Sequence, residues 1–160
     1  MSRTLQEMDG WTVEAEEVEA VLDESGFAWK RREGGWAIPA AGRLPRPIEI
    51  TRVPTGIHVE AVLVQWDEIG AVEAEAVGLL LCRAQLGLRF ARCEMDAGQA
   101  RVVALVAAGQ VEGELVQALG GVAAGARLLS REVGALLVPD MARAFLDFCR
   151  AERKAAVGGP

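Results

Sequence analysis

Side chains able to do chemistry are few in this chain of 160 residues, and they stand apart. His58 is the only histidine, and it shares one face of an extended stretch with Glu60. An imidazole beside a carboxylate needs a nucleophile or a second ligand before it becomes a triad or a metal site, and the pattern around it supplies neither. The serines are Ser2, Ser25 and Ser130, and tyrosine and asparagine are absent, so the usual acid, base and nucleophile sets are poorly stocked. Cys82, Cys93 and Cys149 lie far apart and in no CxxC pair, which argues against a disulfide framework and a zinc site and reads as three core residues. Carboxylates alone remain: Glu60 or Asp67 acting with Glu94 would form an acid–base pair if the fold brought them together, and a strongly raised pKa would mark it. Gly113, Gly120 and Gly121 make no GxGxxG spacing, and no Gly-Lys-Ser or Gly-Lys-Thr follows a glycine run. The chain therefore reads as non-enzymatic, with no catalytic residue, metal or cofactor assigned.

Composition narrows the remaining classes. The length suits a single domain spanning residues 1–160, with residues 1–10 and 157–160 as frayed ends. Half the residues are apolar, yet no apolar run approaches the roughly 18 needed to cross a bilayer. Met1 to Gly10 carries polar and acidic residues where a secretory signal would be basic and then apolar, so a soluble, cytoplasmic protein is expected. A net charge of −6 disfavours nucleic-acid binding, which needs a surplus of Lys and Arg on at least one face. The charge is uneven, with eight acids and one base from Met1 to Ser25, and six bases against two acids from Lys30 to Arg52. Lys30, Arg31 and Arg32 form the nearest thing to a basic patch, with Arg43, Arg46 and Arg52 further on.

These residues must be positioned by elements legible in the periodicity. Trp11, Ala15, Val18 and Leu22 repeat at helical steps, with Thr12 or Asp9 as cap, an acidic outer face read as solvated, and Gly26 after the last turn. Phe27–Arg31 and Gly35–Pro39 predict a first hairpin turning on Gly34 and Gly35, which would place Trp29 and Trp36 on adjacent strands. Gly42, Pro45 and Pro47 force a loop over 40–47. Two further strands follow, Ile48–Val53 and Ile57–Val64, joined by Pro54, Thr55 and Gly56 and ending near Trp66. Because Ala61 to Val64 is apolar on both faces, the fourth strand is expected to be central, or to meet a helix or a second subunit on its outer face.

Ile69, Val72, Ala76, Leu79, Leu80 and Leu86 then mark a helix with one buried stripe that Gly87 ends, with Cys82 expected to be buried among leucines. Leu88–Met95 and Ala100–Ala107 read as a second hairpin turning on Asp96 to Gln99, with the preceding helix laid over it and Arg89, Arg92, Arg101 and Glu94 in a cross-strand ion network. Leu115, Leu119, Val122, Ala126, Leu129, Val133 and Leu136 alternate steps of four and three, the stripe of a long helix whose glycines would let another backbone approach. Pro139 breaks it. Asp140 is expected to cap a last helix in which Met141, Ala144, Phe145 and Phe148 share a face.

The fold class is thus α+β, an antiparallel sheet with helices packed on it in the order α-β-β-β-β-α-β-β-α(-α). That order, in a small acidic chain, resembles the type III secretion chaperone-like fold, which includes the class I secretion chaperones and the YbjN-like proteins of bacteria. The similarity runs from Trp11 to Phe148 and is carried by Trp11–Gly26 as first helix, Gly35–Ile38 as the strand in GGWAI, and Ala71–Leu86 as the helix before the second hairpin. The chain differs from the secretion chaperones in its Gly- and Ala-rich stretch over Gly113–Leu137 and in the helix after Pro139. The resemblance implies a homodimer that binds a protein segment without chemistry, by strand addition and apolar patches, and it brings no catalytic residues. The function expected is a protein-binding module of chaperone-like or regulatory type, with Trp29, Trp36, Val62, Val64 and Trp66 as candidate interaction residues. The alternatives from other classes are a small-ligand-binding domain, a carboxylate-based enzyme, and weak RNA or DNA binding through Lys30, Arg31 and Arg32.

Overall fold

The computed structural model describes residues 13–85 and 88–158. Among them four helices pack against a six-stranded antiparallel sheet of order β1-β2-β3-β4-β6-β5. The strands are β1 (Lys30–Arg32), β2 (Gly35–Ile38), β3 (Ile48–Val53), β4 (Gly56–Gln65), β5 (Arg92–Met95) and β6 (Gln99–Ala107). The helices are α1 (Ala15–Glu24), α2 (Ala71–Ala84), α3 (Val111–Leu136) and α4 (Pro139–Val157), so the expected order of elements holds. None of these helices is long and apolar enough to cross a membrane.

Strand alternation sorts the sheet into two faces. Ile50, Val59 and Ala104 lie side by side in register, as do Ile57 and Val106, and all five are buried. The stripe of α3 covers this face: its seven expected positions from Leu115 to Leu136 are all buried, and Gly125 sits against Val102. Each buried leucine or valine contributes about 1.5–3 kcal/mol, so the α3–sheet layer dominates the core. The opposite face carries Thr51, His58, Glu60, Arg101 and Leu105. β4 is central, as its apolar second half foretold.

Several local readings are corrected. The helix lying across the β5–β6 hairpin is α3, not α2; α2 meets β5 at the sheet edge, where the Gln85 side-chain carbonyl accepts from Cys93 N–H at 2.9 Å. α2 starts at Ala71, as expected for the helix before the second hairpin, so Ile69, counted in its stripe, lies just before it. Residues Trp66–Glu68 form a 3-10 turn, and the helix starts after the extended Gly70. Its most buried side chains are Ala76, Val77 and Leu81, while Leu79 and Leu80 are only half-buried, because α2 is packed from more than one side, by α3 and α4. That rotation leaves Cys82 exposed, whereas Cys93 and Cys149 are buried as expected, and burial pushes the Cys93 thiol up to about 11.

In β4 a register shift between Val62 and Val64 breaks the alternation and carries Val64 onto the helix face opposite Ala100. α1 starts at Ala15, and Ser25 closes it by donating to the Leu22 carbonyl at 2.7 Å. Trp11 and the caps expected at Asp9 or Thr12 lie outside the described residues, as do Leu86 and Gly87 at the expected end of the second helix and residues 159–160. The first hairpin turns on Glu33 and Gly34, not Gly34 and Gly35, because Arg32 pairs with Gly35 and Gly34 supplies the positive φ of +76°.

Proline at the first position starts α4 after Val138, so Asp140 pairs with Arg143 at 3.0 Å instead of capping. Its buried side is Ala142, Leu146 and Cys149, one step round from the face expected. Val157, expected to fray, is helical but exposed.

Candidate functional site at the edge of the sheet

β6 is nine residues long and β5 only four. β4 pairs with β6 from Gln99 to Ala107, but β5 reaches only from Ala100 to Val103. Among the described residues, 104–107 of β6 therefore have a strand on one side only. The sequence predicts a strand over Leu88–Met95 that would have filled this gap, and the reason it does not form is local. Phe90 adopts φ +58°, a left-handed conformation that ends any extended run and costs a non-glycine residue roughly 1–2 kcal/mol. The neighbouring backbone is drawn instead to α3: a Cβ added at Gly121 would lie 2.6 Å from the Arg89 carbonyl oxygen, so only glycine lets the chain dock there.

The result is a notch. Phe90, Leu105 and Val106 line it with Glu114, Gln117 and Ala118 of α3, around about 200 Å³. Beyond Phe90 a wider groove of about 460 Å³ runs over Gly120, Gly121, Ala124 and Leu128. Phe90 is 63% exposed and Leu105 50%. Natural edges are usually protected by charge, and the other edges here follow that rule, with Lys30, Arg31 and Arg32 on β1 and Arg92 and Glu94 on β5. The stretch over 104–107 is Ala, Leu, Val and Ala. Backbone groups without a neighbouring strand, beside apolar side chains, are what strand addition uses.

The sequence-derived candidates are placed elsewhere. Trp36 is buried, and its indole N–H donates to Glu19 at 2.9 Å; Trp29 is half-buried just before β1 and donates to Asp23 at 3.0 Å. Both rings are thus tied to α1, whose acidic face is partly spent on holding the first hairpin. Val64 is in the core, Val62 is half-buried on the open face, and Trp66 donates to the Asp96 carbonyl at 2.8 Å, pinning its turn to the second hairpin.

Charges on the basic patch are largely answered within the chain. Arg31 meets Glu19 at 2.5 Å and Arg32 meets Glu49 at 3.2 Å, with exposed Lys30 beside them. Hydrogen bonds from Trp36 and then Arg31 hold the Glu19 carboxyl below its ordinary range. Arg46 meets Glu68 at 2.9 Å, and Arg52 donates to the Val13 carbonyl at 3.2 Å.

On the open face the ion network expected around the second hairpin forms through Arg92, Arg101 and Glu94, while Arg89 lies before β5 against α3 and joins none of the ion pairs among the described residues. Arg101 donates to Glu60 at 3.0 Å and to Glu94 at 3.2 Å, so the fold does bring those two carboxylates together, but across a guanidinium. Hydrogen bonding from Arg92, followed by desolvation in the opposite sense and the charges of Arg92 and Arg101, leaves Glu94 below its ordinary range, the reverse of what a general acid needs. His58 Nδ1 lies 3.9 Å from Glu60. Asp67 sits exposed in the 3-10 turn, away from this cluster's contacts. Among the described residues no group of three or more His, Cys, Asp and Glu is placed to hold a metal ion.

Leu105 was within reach of sequence reasoning, since Val103 and Leu105 make β6 apolar on its second face as well. Nothing in the residues around Phe90 signals its left-handed turn. No protein-family model matches the chain, and no curated protein sequence matches it.

Proposed function

We propose that this chain is a non-enzymatic protein-binding module of chaperone-like or regulatory type, working as a homodimer, that takes an extended segment of a partner protein into the notch beside residues 104–107. The observation that carries the reading is the incomplete pairing of β6 next to an apolar wall of Phe90 and Leu105. A strand continuing the line of β5 would satisfy the outward backbone groups of β6, and alternate side chains would enter the notch and the glycine-floored groove. The similarity of element order to the secretion chaperone-like fold points the same way.

The test uses ten-residue peptides of alternating apolar and polar residues, scanned by fluorescence anisotropy. Binders should lose affinity at least about tenfold when alternate peptide nitrogens are methylated, since that removes main-chain donors, and again when Leu105→Lys places a charge on the edge. Affinity unchanged by both modifications would sink strand addition and leave the groove as a site for a small apolar ligand. Light scattering after size exclusion reads the other half of the proposal, a mass near twice 17.0 kDa.

A further inference from the structure

The register of the second hairpin defines the places that stand empty beside β6. β5 pairs Arg92 with Val103 and Met95 with Ala100. Continued past Arg92, that register sets Ala91 opposite Ala104, Phe90 opposite Leu105 and Arg89 opposite Val106, but the left-handed turn at Phe90 takes the chain off that line. Side chains opposite one another across a ladder point to the same face. The place opposite Val106 therefore faces α3, as buried Val106 does, and opens on the notch, while the place opposite Leu105 lies on the open face.

The lining of the notch suits a basic side chain. Phe90, Val106 and Ala118 make its walls apolar, and Glu114 and Gln117 supply its polar groups. Glu114 is exposed and joins no ion pair among the described residues, whereas Arg92, Arg101, Glu60 and Glu94 on the open face answer one another. A lysine or arginine is apolar along its stem and charged at its tip, which matches apolar walls with a carboxylate among them. Arg89 lines the wider groove and not the notch.

We infer that the segment taken into the notch carries a basic, an aromatic and a small residue in that order and runs antiparallel to β6, its base opposite Val106 and reaching Glu114. The inference rests on the strand addition proposed above and names the chemistry of the partner. Arg89, Phe90 and Ala91, in the register they do not take up, show the same pattern, so the charge of the notch and the pairing of the hairpin agree by separate routes. The aromatic residue would lie on half-exposed Leu105, and the small one beside Ala104 under α3. Antiparallel is the sense of every strand pair in the sheet. A net charge of −6 favours the approach of a basic segment.

The experiment is fluorescence anisotropy of short labelled peptides with Lys-Phe-Ala, Glu-Phe-Ala or Ala-Phe-Lys at the centre and Ser and Thr on either side, against the wild-type chain and Glu114→Lys. Wild type is expected to bind Lys-Phe-Ala at least about fivefold more tightly than Glu-Phe-Ala, and Glu114→Lys to reverse that order. A folding defect in the variant would weaken both peptides alike, so it cannot exchange their rank. Ala-Phe-Lys should bind wild type at least about fivefold more weakly than Lys-Phe-Ala, because its base misses Glu114 in the antiparallel register. Peptides that bind and weaken on methylation of alternate nitrogens, but keep the same rank in wild type and variant, overturn this inference and leave strand addition standing. Failure of these peptides where the alternating apolar and polar set binds does the same. Equal binding of Lys-Phe-Ala and Ala-Phe-Lys overturns the order of residues and with it the register. If neither set binds, the notch is not a strand-addition site, and this inference falls together with that reading.

Discussion

α3 and α4 follow each other in the chain and carry the same kind of apolar spacing, yet they end in opposite situations. Every stripe position of α3 from Leu115 to Leu136 is buried against the sheet or a neighbouring helix. In α4 the stripe through Met141 and Phe148 is open, and the chain is anchored through Ala142, Leu146 and Cys149 instead. The two bulkiest apolar residues of the α4 stripe are thus the ones left outside. Periodicity reports that a helix has an apolar face; what covers that face is settled by the rest of the fold, or by another molecule.

The contrast fails if the two stripes prove energetically alike. Leu119→Ala removes a fully buried side chain from the centre of α3 and should cost about 2–5 kcal/mol in urea unfolding. Phe148→Ala, read at the lowest workable protein concentration so that self-association contributes least, should cost less than about 1 kcal/mol. A second contrast lies within α3 itself. Gly121→Ala would drive a methyl group to 2.6 Å from the Arg89 carbonyl, so the segment holding Phe90 must move, at about 1–3 kcal/mol. Gly120→Ala meets nothing within 4 Å and should stabilise by up to about 1 kcal/mol through helix propensity alone. Comparable effects at the two adjacent glycines would mean that the 88–91 segment does not depend on docking against α3.

How much of this was legible follows from which forces set each element. The α3 stripe, the central place of β4 and the Asp96 turn came directly from residue type and spacing, because each is determined by near neighbours. The rotation of α2, which buries Val77 and Leu81 while exposing Cys82, depends on which helices surround it, and spacing among leucines on nearly every side could not decide that. The shift between Val62 and Val64 was hidden because both residues are valine, so either could face the core. Leu88–Ala91 failed as a strand for a reason far along the chain, namely a glycine at position 121. Of the candidate site, the apolar outer face of β6 was visible at Leu105, but the notch itself is made by that distant contact.

The smallest effect expected separates elements held by burial from one held by its own bonds. The turn between β5 and β6 is exposed, and Asp96 orders it by accepting from Gly98 N–H at 2.8 Å and Gln99 N–H at 2.9 Å. Those backbone donors hold the Asp96 carboxyl below its ordinary range. A carboxylate depressed in the folded state contributes stability that is present above its unfolded pKa and is lost as pH falls through the folded value. Stability should therefore decline in acid below about pH 4, the ordinary aspartate range. Asp96→Asn keeps an oxygen able to accept both bonds but cannot titrate, so its unfolding midpoint should fall less over that acid range than the wild type's. Leu119→Ala should shift the curve downward at every pH without changing its shape, because a buried methyl group has no proton to gain. If Asp96→Asn instead tracked the wild type throughout, the turn would owe its order to the strands on either side and not to the carboxylate.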